Sequence, residues 1–147
     1  MKTLVVYYSR KGYTEKAAVK AAKENNAELL CIETTENTAG YDGFLNCLNL
    51  CFSKKGVTLF PYEEDISSYD KIIVCSPVWC GALSAPMREF LTRERHHIDK
   101  AEYIFLHCLP GSVDAVKNEA NAILRLESEK TTAVQCIFGH IINEKII

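Results

Sequence analysis

Three short apolar runs place the strongest constraint on how this 147-residue chain can fold. They are Thr3–Tyr8, Lys71–Cys75 and Tyr103–Cys108, and each is nearly continuous in apolar residues. Such runs are typical of strands buried on both faces, as in a parallel sheet with helices on either side. Glu28–Ile32 and Ala133–Phe138 also have the character of strands. The sequence therefore predicts a parallel sheet of five strands.

Helical patterns lie between these runs. Thr14–Lys23 is rich in alanine and stops at Asn25-Asn26, which tolerate a left-handed helix cap. Ser84-Ala85-Pro86 opens a second helix, with serine as the N-cap. A third pattern runs from Val113 to Leu126. Alternating strands and helices predict an α/β fold with right-handed crossovers, formed as one domain over residues 1–147.

The composition excludes several classes of protein. Seventeen Lys and Arg against nineteen Asp and Glu leave a net charge of −2, which argues against nucleic-acid binding. No apolar run reaches the length of a membrane span, and the first residues lack the layout of a signal peptide. Seven cysteines without a Cys-x-x-Cys pair argue against a disulfide framework or a zinc site. We expect a cytoplasmic protein, with Cys31, Cys75, Cys108 and Cys136 as buried thiols because they lie in apolar runs.

Ligands of open parallel sheets bind at the carboxyl ends of the strands, so the segments that follow strands are candidate site residues. The segment after the first strand opens a helix and combines hydroxyl groups with a glycine, an arrangement that can bind a phosphate. On these residues alone, an ordinary turn between strand and helix explains the segment equally well. Its residues are Ser9, Arg10, Lys11, Gly12, Tyr13 and Thr14.

Two further segments follow the third and fourth strands. The first contains the only tryptophan of the chain, which can stack on a planar ring or plug the end of the sheet. It comprises Ser76, Pro77, Val78, Trp79, Cys80 and Gly81. The other, Leu109, Pro110 and Gly111 followed by Ser112, is by itself only a turn.

Together the three segments resemble the flavodoxin family, and the resemblance covers nearly the whole chain. Tyr8–Thr14 is similar to the family's phosphate loop, Ser/Thr-x-Thr-Gly-x-Thr, with Lys11 where threonine is usual. Tyr69–Gly81 is similar to the family's YDxIIxGSPxWxG segment. The resemblance implies a three-layer fold with strand order 2-1-3-4-5 and FMN bound at the point where the strand order reverses.

The resemblance also implies a role for each segment. Ser9–Thr14 would hold the FMN phosphate, and Trp79 would flank the isoalloxazine ring. The backbone of Pro77–Gly81 would border the reactive edge of that ring, and Leu109–Ser112 would close over its pyrimidine end. No catalytic side chain and no metal are implied, because FMN would supply the redox chemistry.

Two classes of function stay open. The first is an FMN-dependent redox protein, either an electron carrier for an unidentified partner protein or an oxidoreductase that reduces a small acceptor such as a quinone. The carrier is the favoured member of this class, although a net charge of −2 gives weak steering toward a basic partner. The second class is a flavodoxin-fold binding or scaffold protein with weak or lost FMN binding, which Lys11 and the short C-terminus favour.

The end of the chain departs from the family. Asn143–Ile147 is too short to form the final helix, so one face of the sheet would lack cover. An apolar face of this kind rarely stays bare. We expect either a homodimer through this face or internal cover from Phe44–Phe52, a segment that reads as a short buried helix or an exposed docking element.

Overall fold

The computed structural model describes residues 1–111 and 113–147, so that Ser112 of the third loop segment lies outside the described residues. The elements in chain order are β1 (Thr3–Tyr7), α1 (Tyr13–Asn25), β2 (Glu28–Cys31), α2 (Gly40–Ser53), a 3-10 turn (Ile66–Ser68), β3 (Lys71–Trp79), β4 (Ala82–Leu83), α3 (Ala85–Glu94), β5 (Ala101–His107), α4 (Asp114–Leu124), β6 (Lys130–Ile137) and β7 (His140–Ile146).

The central sheet confirms the predicted fold class. Its strands lie in the order β2-β1-β3-β5-β6-β7, and the first five of these pair in parallel. Counting only the parallel strands, this is the predicted order 2-1-3-4-5. Two strands were not expected: β4 pairs antiparallel with the end of β3, and β7 pairs antiparallel with β6.

Each face of the sheet has its own core. On one face the fully buried Met87, Phe90 and Leu91 of α3 join a cluster that also includes residues of α2 and α4. On the other face the alanines of α1 pack on Val5 and Ile73. Small alanine side chains let the backbone of α1 lie close to the strands. The helix ends after Asn25, where Asn26 adopts the expected left-handed cap with φ 47°.

The third strand is longer than the predicted Lys71–Cys75, because β3 continues to Trp79. A two-residue turn at Cys80 and Gly81, with φ of 50° and 76°, returns the chain so that Trp79 pairs with Ala82. Positive φ at both central residues is the geometry that fits the twist of a tight hairpin. We call residues 76–84 the rim hairpin.

A second tight hairpin, which we call the C-terminal hairpin, is formed by β6 and β7. Phe138 and Gly139, with φ of 48° and 84°, join β6 to β7. The hairpin leans toward α1, where Lys20 Nζ lies 3.6 Å from Glu144 Oε2. A cavity of about 170 Å³ remains between α1 and β5, β6 and β7, and it is lined in part by Ile104 and Val134. The C-terminal residues therefore form a strand. This strand and α1 cover part of the sheet face on which α1 packs.

The expectation that Phe44–Phe52 covers this face is wrong. The segment lies within α2, and its Leu50 belongs to the core on the opposite face, with α3 and α4. The segment is apolar almost all round, so some of its apolar side chains remain on the surface, and Phe44 and Phe52 are exposed.

All seven cysteines are free thiols, but their burial differs from the expectation at two positions. Cys75 and Cys136 are buried as predicted, whereas Cys31 and Cys108 are exposed. Cys31 ends the edge strand β2, and Cys108 comes after β5 has ended, so neither is enclosed by neighbouring strands. Within residues 1–111 and 113–147, no helix has the length and apolar character that crossing a membrane requires.

Candidate functional site

The pairing register brings the three predicted segments to one edge of the sheet. Tyr7, the last residue of β1, lies level with Cys75 of β3, and Cys75 lies level with Ile104 of β5. Farther along the same strands, Pro77 lies level with Leu106. The chain turns from β1 to β2 on one side and reaches β3 on the other, so the edge above β1 and β3 is the switch point where ligands of such sheets bind.

The first segment forms a tight loop at the start of α1. Gly12 is the N-cap with φ 85°, and it has no side chain to cap the amides of the first turn. Its own amide donates a hydrogen bond to Ser9 Oγ over 2.9 Å. A serine hydroxyl that accepts one hydrogen bond keeps its hydrogen for another partner. Thr14 is buried in the first turn. The uncapped helix start is a place where an anion meets amide donors and the positive end of the helix dipole.

Two predicted phosphate-loop residues point their side chains elsewhere. Arg10 Nε donates to the carbonyl oxygen of Thr38 over 2.6 Å, and its Nη2 donates to that of Gly40 over 2.7 Å. The guanidinium therefore joins the loop to the start of α2. Tyr13 lies with its ring against Gly139 of the C-terminal hairpin. Lys11 is exposed on the loop.

Glu15 is a member of this region that the sequence did not single out. Its Oε2 would lie 3.8 Å from a β-carbon at Gly12, and its Oε1 accepts a hydrogen bond from the hydroxyl of Tyr7 over 3.4 Å. Burial, assisted by Cys31 and Glu15, raises the pKa of Tyr7, so this hydroxyl stays protonated. An acidic residue in the first turn is usual for any helix, so the sequence alone gave it no functional meaning.

The rim hairpin positions Trp79. The indole is half-buried and meets the ring of Tyr8 edge-on, with the ring centroids 5.7 Å apart and the planes at 83°. Tyr8 is held in turn by a hydrogen bond from its hydroxyl to Thr38 Oγ1 over 2.9 Å. Cys80 and Gly81 are exposed at the tip, and a β-carbon at Gly81 would meet no atom within 4 Å.

A charged pair from two helices holds the returning strand of the rim hairpin. The amide of Leu83 donates to Glu119 Oε2 over 2.9 Å, and the carbonyl of Leu83 accepts from Arg88 Nη2 over 3.2 Å. Arg88 Nε and Glu119 Oε1 lie 2.6 Å apart. Both backbone groups of Leu83 are therefore held by side chains, which anchors the returning strand of the hairpin. Arg88 and Glu119 are 31 positions apart, so no local pattern in the sequence links them.

Two serines at the base of the same hairpin also contact one another. Ser76 Oγ and Ser84 Oγ lie 3.1 Å apart, and both residues are fully buried. Ser84 occupies the predicted N-cap position of α3, but its side chain makes no capping hydrogen bond. The hydroxyl of the predicted site residue Ser76 therefore serves the hairpin's own structure.

The third segment is the most open of the three. Leu109 is 79% exposed, and Pro110 and Gly111 are exposed beside it. His107 Nδ1 lies 2.8 Å from the carbonyl oxygen of Leu109. Gly111 has φ 142°, and a β-carbon there would meet no atom of residues 1–111 and 113–147 within 4 Å.

Comparison with known proteins decides the family. The sequence model described as "Flavodoxin domain" matches residues 57–146, which is more than half of the chain. The chain belongs to the flavodoxin domain family. The matched range includes β3, the rim hairpin and nearly all of the C-terminal hairpin.

Solved structures agree with this flavodoxin-domain assignment. A Lactobacillus acidophilus flavoprotein in complex with FMN is 26% identical over 90% of this chain and 91% of its own, with a TM-score of 0.74. The apo form of the flavoprotein from the same organism is 25% identical over 90% of both chains, with a TM-score of 0.71. A candidate flavoprotein from Bacteroides eggerthii is 15% identical over 95% and 89%, with a TM-score of 0.76, and shows likeness of fold. No curated protein matches the sequence significantly.

Proposed function

We propose that this flavodoxin-domain protein binds FMN at the edge of the sheet above β1 and β3, and that it works as a redox protein. The phosphate would lie at the loop that contains Ser9 and Thr14, and the ring system would lie beside Trp79. The observation that carries this proposal is the uncapped start of α1 at Gly12, on the same edge as a half-buried tryptophan held by a rigid hairpin. The Lactobacillus acidophilus flavoprotein supports it, since that protein is described in complex with FMN.

The residues at the rim fit the two ends of this cofactor. A phosphate needs donors and positive potential, and the first turn of α1 offers amides, a buried threonine and the exposed Lys11. A planar ring needs an aromatic wall and free space, which Trp79 and the open positions at Gly81 and Gly111 offer. The carboxylate of Glu15 opposes a phosphate by like charge, and Lys11 offsets this repulsion.

FMN, when bound, supplies electron acceptance and donation. The protein's own residues bind and orient it. The charged pair of Arg88 and Glu119 keeps the hairpin backbone in place, and Tyr8 keeps the indole of Trp79 at a fixed angle. Groups that are fixed in advance need no reorganisation when charge changes beside them.

Among redox roles, we propose electron transfer to a partner protein, in the cytoplasm. The exposed tip at Cys80 and Gly81 and the exposed Leu109 would let a partner approach the ring edge closely. Seven free thiols favour a reducing compartment. Reduction of a small acceptor by the same flavin is the competing outcome, and steady-state assays with a quinone would detect it.

Calorimetric titration of the chain with FMN tests this proposal. The wild type should bind FMN at micromolar concentration, and Thr14→Ala should weaken binding by about 1–3 kcal/mol, because a charge-assisted hydrogen bond is lost. Thr92→Ala is the matched control, because the Thr92 hydroxyl donates to the carbonyl of Arg88 on the exposed side of α3. If the wild type releases no heat with FMN, the proposal fails and a scaffold function replaces it.

A further inference from the structure

Two cysteines lie near one another at the turn of the rim hairpin. Cys51 is buried on α2, and its Sγ donates a hydrogen bond to the carbonyl oxygen of Trp79 over 3.1 Å. The next residue, Cys80, is exposed in the turn at φ 50°, so its thiol belongs to the residue directly after the carbonyl group that Cys51 contacts. We propose that Cys51 and Cys80 form a reversible thiol–disulfide site, oxidised by small disulfides of the glutathione class.

The surroundings assign a different role to each thiol. Burial, with a smaller contribution from Cys80, raises the pKa of the Cys51 thiol to about 12, and the guanidinium of Arg88 acts in the opposite direction. Cys51 therefore holds its proton and is enclosed, whereas Cys80 can be reached from solvent. Reaction begins at the accessible thiol because attack requires both a thiolate and an open path to the disulfide.

The proposed exchange takes place in two balanced steps. The Cys80 thiol loses its proton and attacks one sulfur of the small disulfide, which forms a mixed disulfide and releases one small thiol. The Cys51 thiol then loses its proton and attacks the sulfur of Cys80, which releases the second small thiol. The two protein thiols are oxidised by two electrons, and the small disulfide is reduced to two thiols.

Oxidation at this site would act on the hairpin that carries Trp79. A disulfide sulfur has no hydrogen, so the carbonyl of Trp79 would lose its donor, and Cys80 would be tied to α2. On the basis of the proposed function, we expect FMN to bind several-fold more weakly to the oxidised chain, because the tip beside the ring is drawn toward the helix.

Peptide mapping after oxidation tests the assignment without FMN. The full chain is treated with oxidised glutathione, alkylated while unfolded, digested and examined by mass spectrometry. The wild type should yield a Cys51–Cys80 peptide pair that reductant removes. Cys51→Ser should stop at a glutathione adduct on Cys80. Cys47→Ser is the matched control, since Cys47 is also buried on α2, and it should still form the pair.

Each outcome of the mapping decides the proposal. A wild type that carries only glutathione adducts, or that joins Cys80 to a different cysteine, overturns the site. Equal FMN affinity of the reduced and oxidised chains overturns the coupling to the flavin. If neither form binds FMN, the proposed function fails, and the peptide map still decides the disulfide.

Discussion

Gly139 lies against the ring of Tyr13 so closely that a β-carbon built on it would stand 2.8 Å from Cε1 of the tyrosine. Gly139 is the turn of the C-terminal hairpin, and Tyr13 is the first residue of α1, directly after the proposed phosphate loop. The contact therefore joins the C-terminal hairpin to the start of α1 at the candidate site. A side chain at position 139 would separate the two.

Gly139→Ala should destabilise the chain by about 2–4 kcal/mol. Left-handed backbone in a non-glycine residue costs about 1–2 kcal/mol, and displacing the Tyr13 ring costs about 1–2 kcal/mol more. Gly81→Ala is the matched control, because its φ of 76° carries the same strain while nothing lies within 4 Å. Urea unfolding of both variants measures the difference. Equal losses of unfolding free energy would contradict the contact.

Removing the Tyr13 ring should recover part of that loss. In the double variant Tyr13→Ala with Gly139→Ala, the methyl group has space, so the two substitutions should cost less together than the sum of the separate costs. Residues in direct contact give coupling energies of about 0.5–3 kcal/mol in such cycles. Additive costs would show that the ring does not oppose a side chain at position 139.

Glu119→Ala should lower the unfolding free energy by about 1–3 kcal/mol. The variant leaves Arg88 without its carboxylate and Leu83 without its acceptor, and hydrogen bonds to charged groups in partly buried positions have values of this size. Glu24→Ala is the control, because its ion pair with Lys20 is exposed and contributes less than about 1 kcal/mol. Thermal unfolding compares the two variants. Similar decreases in Tm would show that Glu119 does not stabilise the rim hairpin.

Glu15→Gln should strengthen FMN binding about fivefold. A unit charge about 4 Å from a phosphate in water opposes it by about 1 kcal/mol, and the neutral amide removes that opposition. Glu24→Gln, at the far end of α1, should leave the affinity unchanged. Added salt should reduce the difference in FMN affinity between Glu15→Gln and wild type, because screening weakens the repulsion between the carboxylate and the phosphate. Weaker binding by the Glu15→Gln variant would show that the phosphate lies elsewhere.

The sequence predicted the structural elements that depend on neighbouring residues in the chain. The buried apolar runs predicted the parallel strands, and Asn26 adopts the left-handed cap that its residue type favours. The return of the chain at Cys80 was missed, because cysteine is not a usual residue at positive φ and its conformation follows from pairing between Trp79 and Ala82. Phe138 was predicted as the last residue of a strand, whereas it lies in the turn at positive φ, so the C-terminal hairpin was missed as well.

The candidate site was also predicted only in part. The three segments meet at one edge because the strand order places them there, and that order was implied by the resemblance to the flavodoxin family and not by any local pattern. Arg10 instead reaches the carbonyls of Thr38 and Gly40, and Cys51 reaches that of Trp79. These contacts join residues 28 to 30 positions apart, and they depend on where α2 packs. No local pattern contains that information.

Self-association remains a prediction. The C-terminal hairpin exposes several apolar side chains, which are Ile137, Phe138, Ile141, Ile142 and Ile146. Exposed apolar patches favour association. We expect light scattering to give the mass of a dimer at high micromolar concentration, and Ile142→Lys to shift the chain toward monomer. A monodisperse wild-type monomer would contradict this prediction.

Titration of the chain with FMN, followed by the emission of Trp79, tests the central claim most directly. Trp79 is the only tryptophan, so its fluorescence reports on this rim alone. A flavin ring beside the indole should quench the emission strongly and saturably, and Thr14→Ala should need more FMN for half of the change. Free tryptophan amide, titrated in parallel, corrects for light absorbed by FMN. Emission that stays unchanged at saturating FMN would contradict a flavin site beside Trp79.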